Sequence, residues 1–232
     1  MKMINLNLKK KIMLNTKNMK AGGGKVGPVI SSGNQVFKIN DVTFDQTPYD
    51  KDAYDIKLHV ESEPIGGDFQ GFYVDPNDKN GPRYKGQVGR IRFSPYAYKD
   101  TTLPSGIEIS RDNEVLKAMV FLAETLGVRD QLDMIEAEDI FEFMKGCRKI
   151  FSNSGTYINA CVGGREWENK DGYVNLDLFL PRLSKDGVPL ESLEVEKSRL
   201  LKFDSDSHIK RLKKKTSAPA ESTSMADDFD IF

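Results

Sequence analysis

The stretch Gly89-Arg90-Ile91-Arg92-Phe93-Ser94-Pro95-Tyr96 decides how the chain is read. In an extended strand, residues two apart share a face. Ile91 and Phe93 therefore point one way, and Arg90, Arg92 and Ser94 point the other. One face is apolar enough for a core, while the other carries two guanidinium groups. Such a strand is a half-buried wall with a cationic outer surface.

The segments on either side are also strand-like. Val36 to Phe44 is rich in β-branched and aromatic residues. Gln46-Thr47-Pro48-Tyr49-Asp50 breaks it, and Tyr54 to Glu61 then alternates strictly between apolar and polar. A Pro- and Gly-rich loop runs from Pro64 to Gly89, with a short β-like piece from Phe69 to Val74. Downstream the period changes. Val115, Leu116, Met119, Val120, Leu122, Ala123 and Leu126 follow helical spacing, and Gly127 is a stop. A second helix is expected from about Ala137 to Phe151, with Ile140, Phe141, Met144 and Cys147 on its core face. Glu136, Glu138 and Asp139 fall at its start, where acids complement the helix dipole. Strand signals return from Thr156 to Val162. A polar loop containing Arg165 and Trp167 leads to a last strand, Tyr173 to Leu180, which Pro181 ends. Asp171-Gly172 predicts a type I′ hairpin turn.

Three strand blocks, two helices and a hairpin make a mainly β chain, with a helical insertion over 112–151 between strands three and four. That order predicts an OB-fold-like five-stranded antiparallel barrel. A small antiparallel sandwich with an α insertion would give the same string. The expected organisation is a basic arm over 1–30, one β-domain over 31–183, a linker over 184–226 and an acidic tip over 227–232, with disordered termini.

Charge is polarised along the 232 residues, although the formal net charge is only −1. Met1 to Lys25 holds seven lysines and no acid, whereas Thr216 to Phe232 holds four acids and no base. This pattern points to electrostatic partners. Lysines interrupt every apolar run near the start, so no signal peptide is expected, and no run is long enough to span a membrane. Cys147 and Cys161 lack metal-ligand spacing and read as buried, reduced thiols. A cytoplasmic protein with no membrane partner is the expectation.

An OB barrel binds nucleic acid on a face centred on its second and third strands. Arg83, Tyr84, Lys85, Arg90, Arg92, Tyr96 and Tyr98 interleave cations and rings around the third strand, and Lys99 follows. Arg165, Trp167 and Tyr173 add to them from the hairpin, with Lys170 between. Single strands are held by a basic groove that tracks phosphate and by rings on which bases stack. Tyrosines at barrel ends and arginines on a solvated face are the plainer explanation of any one residue. The cluster as a whole favours binding.

The tip Asp227-Asp228-Phe229-Asp230-Ile231-Phe232 places apolar side chains among acids at a free carboxylate, the pattern of a docking peptide. It resembles the acidic, Phe-terminated tail of bacterial and bacteriophage single-stranded DNA-binding proteins. The Pro that precedes the final Phe in the bacterial tails is absent. The resemblance covers the tail specifically and the β-domain by element order. It implies a protein that coats single-stranded DNA in replication, recombination and repair. It also implies a tail that recruits partners such as a polymerase, helicase or primase, the host-cell cytoplasm if the chain is phage-encoded, and a possible homo-oligomer.

No enzyme motif emerges, and neither a cofactor nor a metal is expected. His59 and His208 lie outside any ligand cluster, and Gly22-Gly23-Gly24-Lys25 lacks the first glycine of a phosphate loop. Asp68, Asp75 and Asp78 precede the basic strand and leave metal-dependent chemistry open. The alternatives are a phage structural or assembly protein and a strand-annealing recombination protein.

Overall fold

A computed structural model describes residues 27–66, 73–75, 78–93 and 99–212. The elements, in chain order, are β1 (Gly33–Gln46), β2 (Tyr54–Ser62), β3 (Tyr73–Val74), β4 (Arg83–Tyr84), β5 (Val88–Arg92), β6 (Thr101–Thr102) and β7 (Glu108–Ile109). They continue with α1 (Arg111–Leu126), α2 (Arg129–Leu132), α3 (Ile140–Asn153), β8 (Ile158–Glu168), β9 (Val174–Phe179), β10 (Leu190–Ser192), α4 (Ser205–His208) and β11 (Ile209–Lys210).

The protein is mainly β. Five strands form its centre, in the order β1-β2-β5-β9-β8, and β8 pairs in turn with β1. The long β1 makes this possible. Its first part, Gly33 to Phe37, pairs with β8, and Phe37 to Gln46 pairs with β2, with a register shift between Ile39 and Asp41. The arrangement is not a regular barrel. β5 and β9 share only two rungs, Ile91 with Leu178 and Arg92 with Phe179, and they run parallel. The expectation of a wholly antiparallel set is therefore corrected at this pair. Closure of the ring requires it: with β1–β2, β2–β5, β8–β9 and β1–β8 all antiparallel, the fifth pair of a five-membered ring must run parallel. Pro28 and Ile30 take both backbone hydrogen bonds of Val88, at 3.0 Å each, at the first residue of β5. Gly89 makes room, since a Cβ there would stand 3.2 Å from Ile30.

Alternation sets the core. Tyr54, Ile56, Leu58 and Val60 of β2 and Ile91 of β5 face inward, as the period of two requires. The helices close the core from the β1 side, where α3 packs on β1 through Met144, Cys147 and Phe151. α1 ends at Gly127, whose φ of 71° is the left-handed cap a glycine supplies. α3 starts at Asp139, whose carboxylate accepts from the Glu142 N–H at 2.8 Å. Leu116, expected in the core, is exposed at the helix surface.

Three local expectations change. The Gly163–Trp167 stretch is not a loop, because β8 continues through it to Glu168. The two glycines accommodate large neighbours: a Cβ on Gly163 would lie 2.7 Å from the Phe179 ring, and one on Gly164 2.7 Å from Leu176. The hairpin turn is not type I′, since among the described residues no non-glycine residue, Asp171 included, has positive φ. Instead the Gly172 N–H donates to the Asn169 carbonyl at 3.1 Å, and the Asn169 side chain accepts from Asp171 and Tyr173. Residues 184–212, expected as linker, pack onto β8. β10 pairs with Ile158 to Ala160, β11 pairs with Gly164 and Arg165, and Leu190 is fully buried. Apolar Leu190 and Leu201 hold this segment down, and polar composition elsewhere in it hid them. Among the described residues, no helix is long and apolar enough to cross a membrane.

Candidate nucleic-acid interface

The outward faces of β2, β5, β9 and β8 form one continuous surface. Register fixes which residues stand together. Lys57 lies opposite Arg92, and Arg92 opposite Phe179, which itself pairs with Gly163. In the next row His59 faces Arg90, and Asp177 faces Arg165. Where β9 diverges from β5, an open groove of about 830 Å³ appears. Lys57, Arg90, Arg92, Arg165, Arg182 and Lys210 line it, together with Val29, Phe179 and His208. Among the described residues, Asp177 is the one carboxylate in its lining.

Phe179 forms part of the floor. Its half-buried ring lies against Gly163, and the Lys210 ammonium stands 5.1 Å from the ring centroid. Lys210 is there because β11 adds to β8 beside Arg165, and because Leu212 N–H donates to Glu166 at 3.0 Å just beyond. His208 is fixed by stacking on Phe203 and by accepting the Asp204 N–H on Nδ1 at 2.9 Å.

Carboxylates outside the lining hold several of these cations in place. Asp55 pairs with Arg92 at 2.9 Å and with Lys57 at 2.8 Å, and Asp75 pairs with Arg90 at 3.0 Å. The cationic side chains are about 40–50% exposed, so each pair is worth on the order of 0.2–1 kcal/mol and exchanges readily for another anion. Among the described residues, Arg165 and Lys210 have no ion-pair partner. His59 sits between Arg90 and Asp41. Burial, then the positive charge of Arg90, pushes its imidazole below the usual histidine value. Tyr84 is raised by burial and by the nearby carboxylate of Asp75.

The groove gathers Arg90, Arg92 and Arg165 from the residues singled out in the sequence. Trp167 stands at its edge, 41% exposed, with its indole N–H on Asp177 at 2.9 Å. Arg83 and Tyr84 lie on β4, outside the lining, and Lys85 follows them. Tyr173 is at the far hairpin tip, 70% exposed. Tyr96, Tyr98 and the tip Asp227, Asp228, Phe229, Asp230, Ile231 and Phe232 fall outside the described residues. Sequence reading missed Lys57, Phe179, Arg182 and Lys210. Lys57 was legible as a polar position of β2, on the face opposite Ile56 and Leu58. Lys210 opened a visible basic run, yet nothing local signalled that the run returns to β8.

Both cysteines are buried and unpaired. Burial pushes the Cys147 thiol up to about 12 and raises that of Cys161. Among the described residues, no group of three or more His, Cys, Asp or Glu side chains converges as a metal set. Comparison with known proteins finds no matching family model, no matching curated protein and no matching solved structure.

Proposed function

We propose that the protein binds single-stranded DNA along the β2–β5–β9–β8 face and serves replication, recombination or repair by coating exposed strands. The observation that carries this reading is the groove itself, with six cations around an aromatic floor and one carboxylate in its lining. A chain of phosphates would supply anions to Arg165 and Lys210 and could replace Asp55 and Asp75 at their cations, and Phe179 and Trp167 offer rings for stacking. Salt-exchangeable pairs suit a binder that holds and releases a strand without reading bases.

The strand order supports an OB-like reading of the fold. In an OB barrel the third and fifth strands run side by side and a helix precedes the fourth, as β5, β9 and the α1–α3 segment do before β8. The binding face of such barrels centres on the second and third strands, here β2 and β5. The acidic, Phe-terminated tip is the proposed recruiter of replication proteins.

The test is direct strand binding by full-length protein and by the double variant Arg90→Ala/Arg92→Ala. Wild type should bind labelled oligo-dT and prefer it to duplex, with affinity falling steeply as salt rises. The variant should lose at least tenfold. Equal affinities for wild type and variant would place the strand elsewhere. No binding by wild type at low salt would favour a structural or assembly role.

A further inference from the structure

Among the described residues, Asp177 is the one carboxylate in the groove lining, and an indole takes it. The β8–β9 register sets Asp177 directly opposite Arg165, and sets Trp167 opposite Asn175, two residues nearer the hairpin turn. Side chains alternate between the faces of a sheet. Arg165, Trp167, Asn175 and Asp177 therefore share the groove face, while Glu166 and Glu168 stand on the other.

An acid and a base directly across an antiparallel pair attract each other. At the same groove Asp55 takes Arg92 and Lys57, and Asp75 takes Arg90. Asp177 does not take Arg165. Its Oδ1 accepts the Trp167 indole N–H at 2.9 Å along the diagonal, which draws the carboxylate toward the turn. Arg165 is left with no ion-pair partner among the described residues. Lys210, its neighbour in the β11–β8 register, has none either, so the two cations form one stretch without a resident anion.

We propose that Trp167 is a positioning residue of the groove: by holding Asp177 on its indole N–H, it keeps Arg165 free for a phosphate of the bound strand. This rests on the proposed strand-binding function and assigns a second role within it. The role is separate from stacking, because the N–H acts through Asp177 whereas the 41% exposed ring would meet a base. Without the N–H, Asp177 turns to Arg165, and an incoming phosphate must displace it. Exposed ion pairs are weak, so the expected effect is a few-fold change in affinity and not a loss of binding.

The experiment uses Trp167→Phe, which keeps a ring able to stack and removes the N–H. The substitution is made in the full-length wild-type chain, in Asp177→Asn and in Arg165→Ala, and affinity for labelled oligo-dT is measured at low salt. Circular dichroism and thermal unfolding of every variant are compared with wild type. The loss caused by Trp167→Phe should be about two- to fivefold greater in the wild-type chain than in either of the others, where the acid or its target is already gone. A change in stacking alone, or in the hairpin's stability, would cost the same in all three. A ratio below about two against either chain would overturn the proposal, while strand binding by wild type upheld the function on which it rests. Absence of binding by wild type would overturn that function, and the proposal with it.

Discussion

Arg92 and Lys57 share one carboxylate, Asp55, and this arrangement sets what single substitutions should do. On the proposed strand-binding reading, removing a guanidinium removes a phosphate contact. Arg92→Ala should weaken single-strand binding about equally across base sequences and reduce the salt slope by about 0.7. Removing the shared carboxylate should act in the opposite sense. In Asp55→Asn both cations lose their resident anion, and affinity for oligo-dT should rise a few-fold at low salt. A fall in affinity would mean that Asp55 is needed to aim the two side chains. His59 has a different readout. Its folded pKa lies below the unfolded value of about 6.5, so the unfolded state takes up the proton first as pH drops. Stability from this residue is complete above about 6.5 and declines from there down to its folded pKa. Thermal unfolding of His59→Gln should be flatter than wild type over that window. Asp41 adds a carboxylate effect at lower pH. Burial raises its pKa, but the hydrogen bond and charge of Arg148 and the Val42 N–H outweigh burial and hold it below the usual range. Its contribution is present above the unfolded pKa and disappears as pH falls through the folded one.

At the scale of elements, β8 explains why the site was only partly visible in the sequence. Its first half, Ile158 to Val162, is apolar and was legible, as were β2, β5, β9, α1 and α3. Its second half carries Gly163-Gly164, which read as a break because glycine weakens an isolated strand. In the folded protein those glycines lie beneath Phe179 and Leu176, and the strand runs on to place Arg165 and Trp167. Packing between distant residues decided the outcome, and local propensity could not register it. The same holds for β11, whose two residues gain their place only from β8. Gly163→Ala should therefore displace the Phe179 ring, cost roughly 1–3 kcal/mol by overpacking and loosen Lys210 from the floor. Urea unfolding reads the first effect and the salt slope of DNA binding reads the second. The core elements make a separate prediction. Cys147 faces inward from α3 with its thiol pushed up to about 12, so it should resist thiol-specific reagents in the native state and react once the chain is unfolded.

Across the whole molecule, charge is sorted by position more than by amount. A net charge of −1 coexists with a groove lined by six cations, with seven lysines and no acid between Met1 and Lys25, and with a basic run from Lys210. The helices close the core on the β1 side, and among the described residues the groove opens on the β2–β5–β9–β8 face. This separation of a helix-covered side from a cationic side is what the proposed strand binding would use. Trp167 offers the most direct test, being the one tryptophan and bonded to the carboxylate in the groove lining. Its fluorescence should be followed during titration of full-length protein with oligo-dT, at low and moderate salt, beside a duplex of equal length. Saturable quenching by the single strand is expected, weakening steeply with salt and much smaller with duplex. Unchanged Trp167 emission at low salt, with no mobility shift of the oligonucleotide, would contradict it.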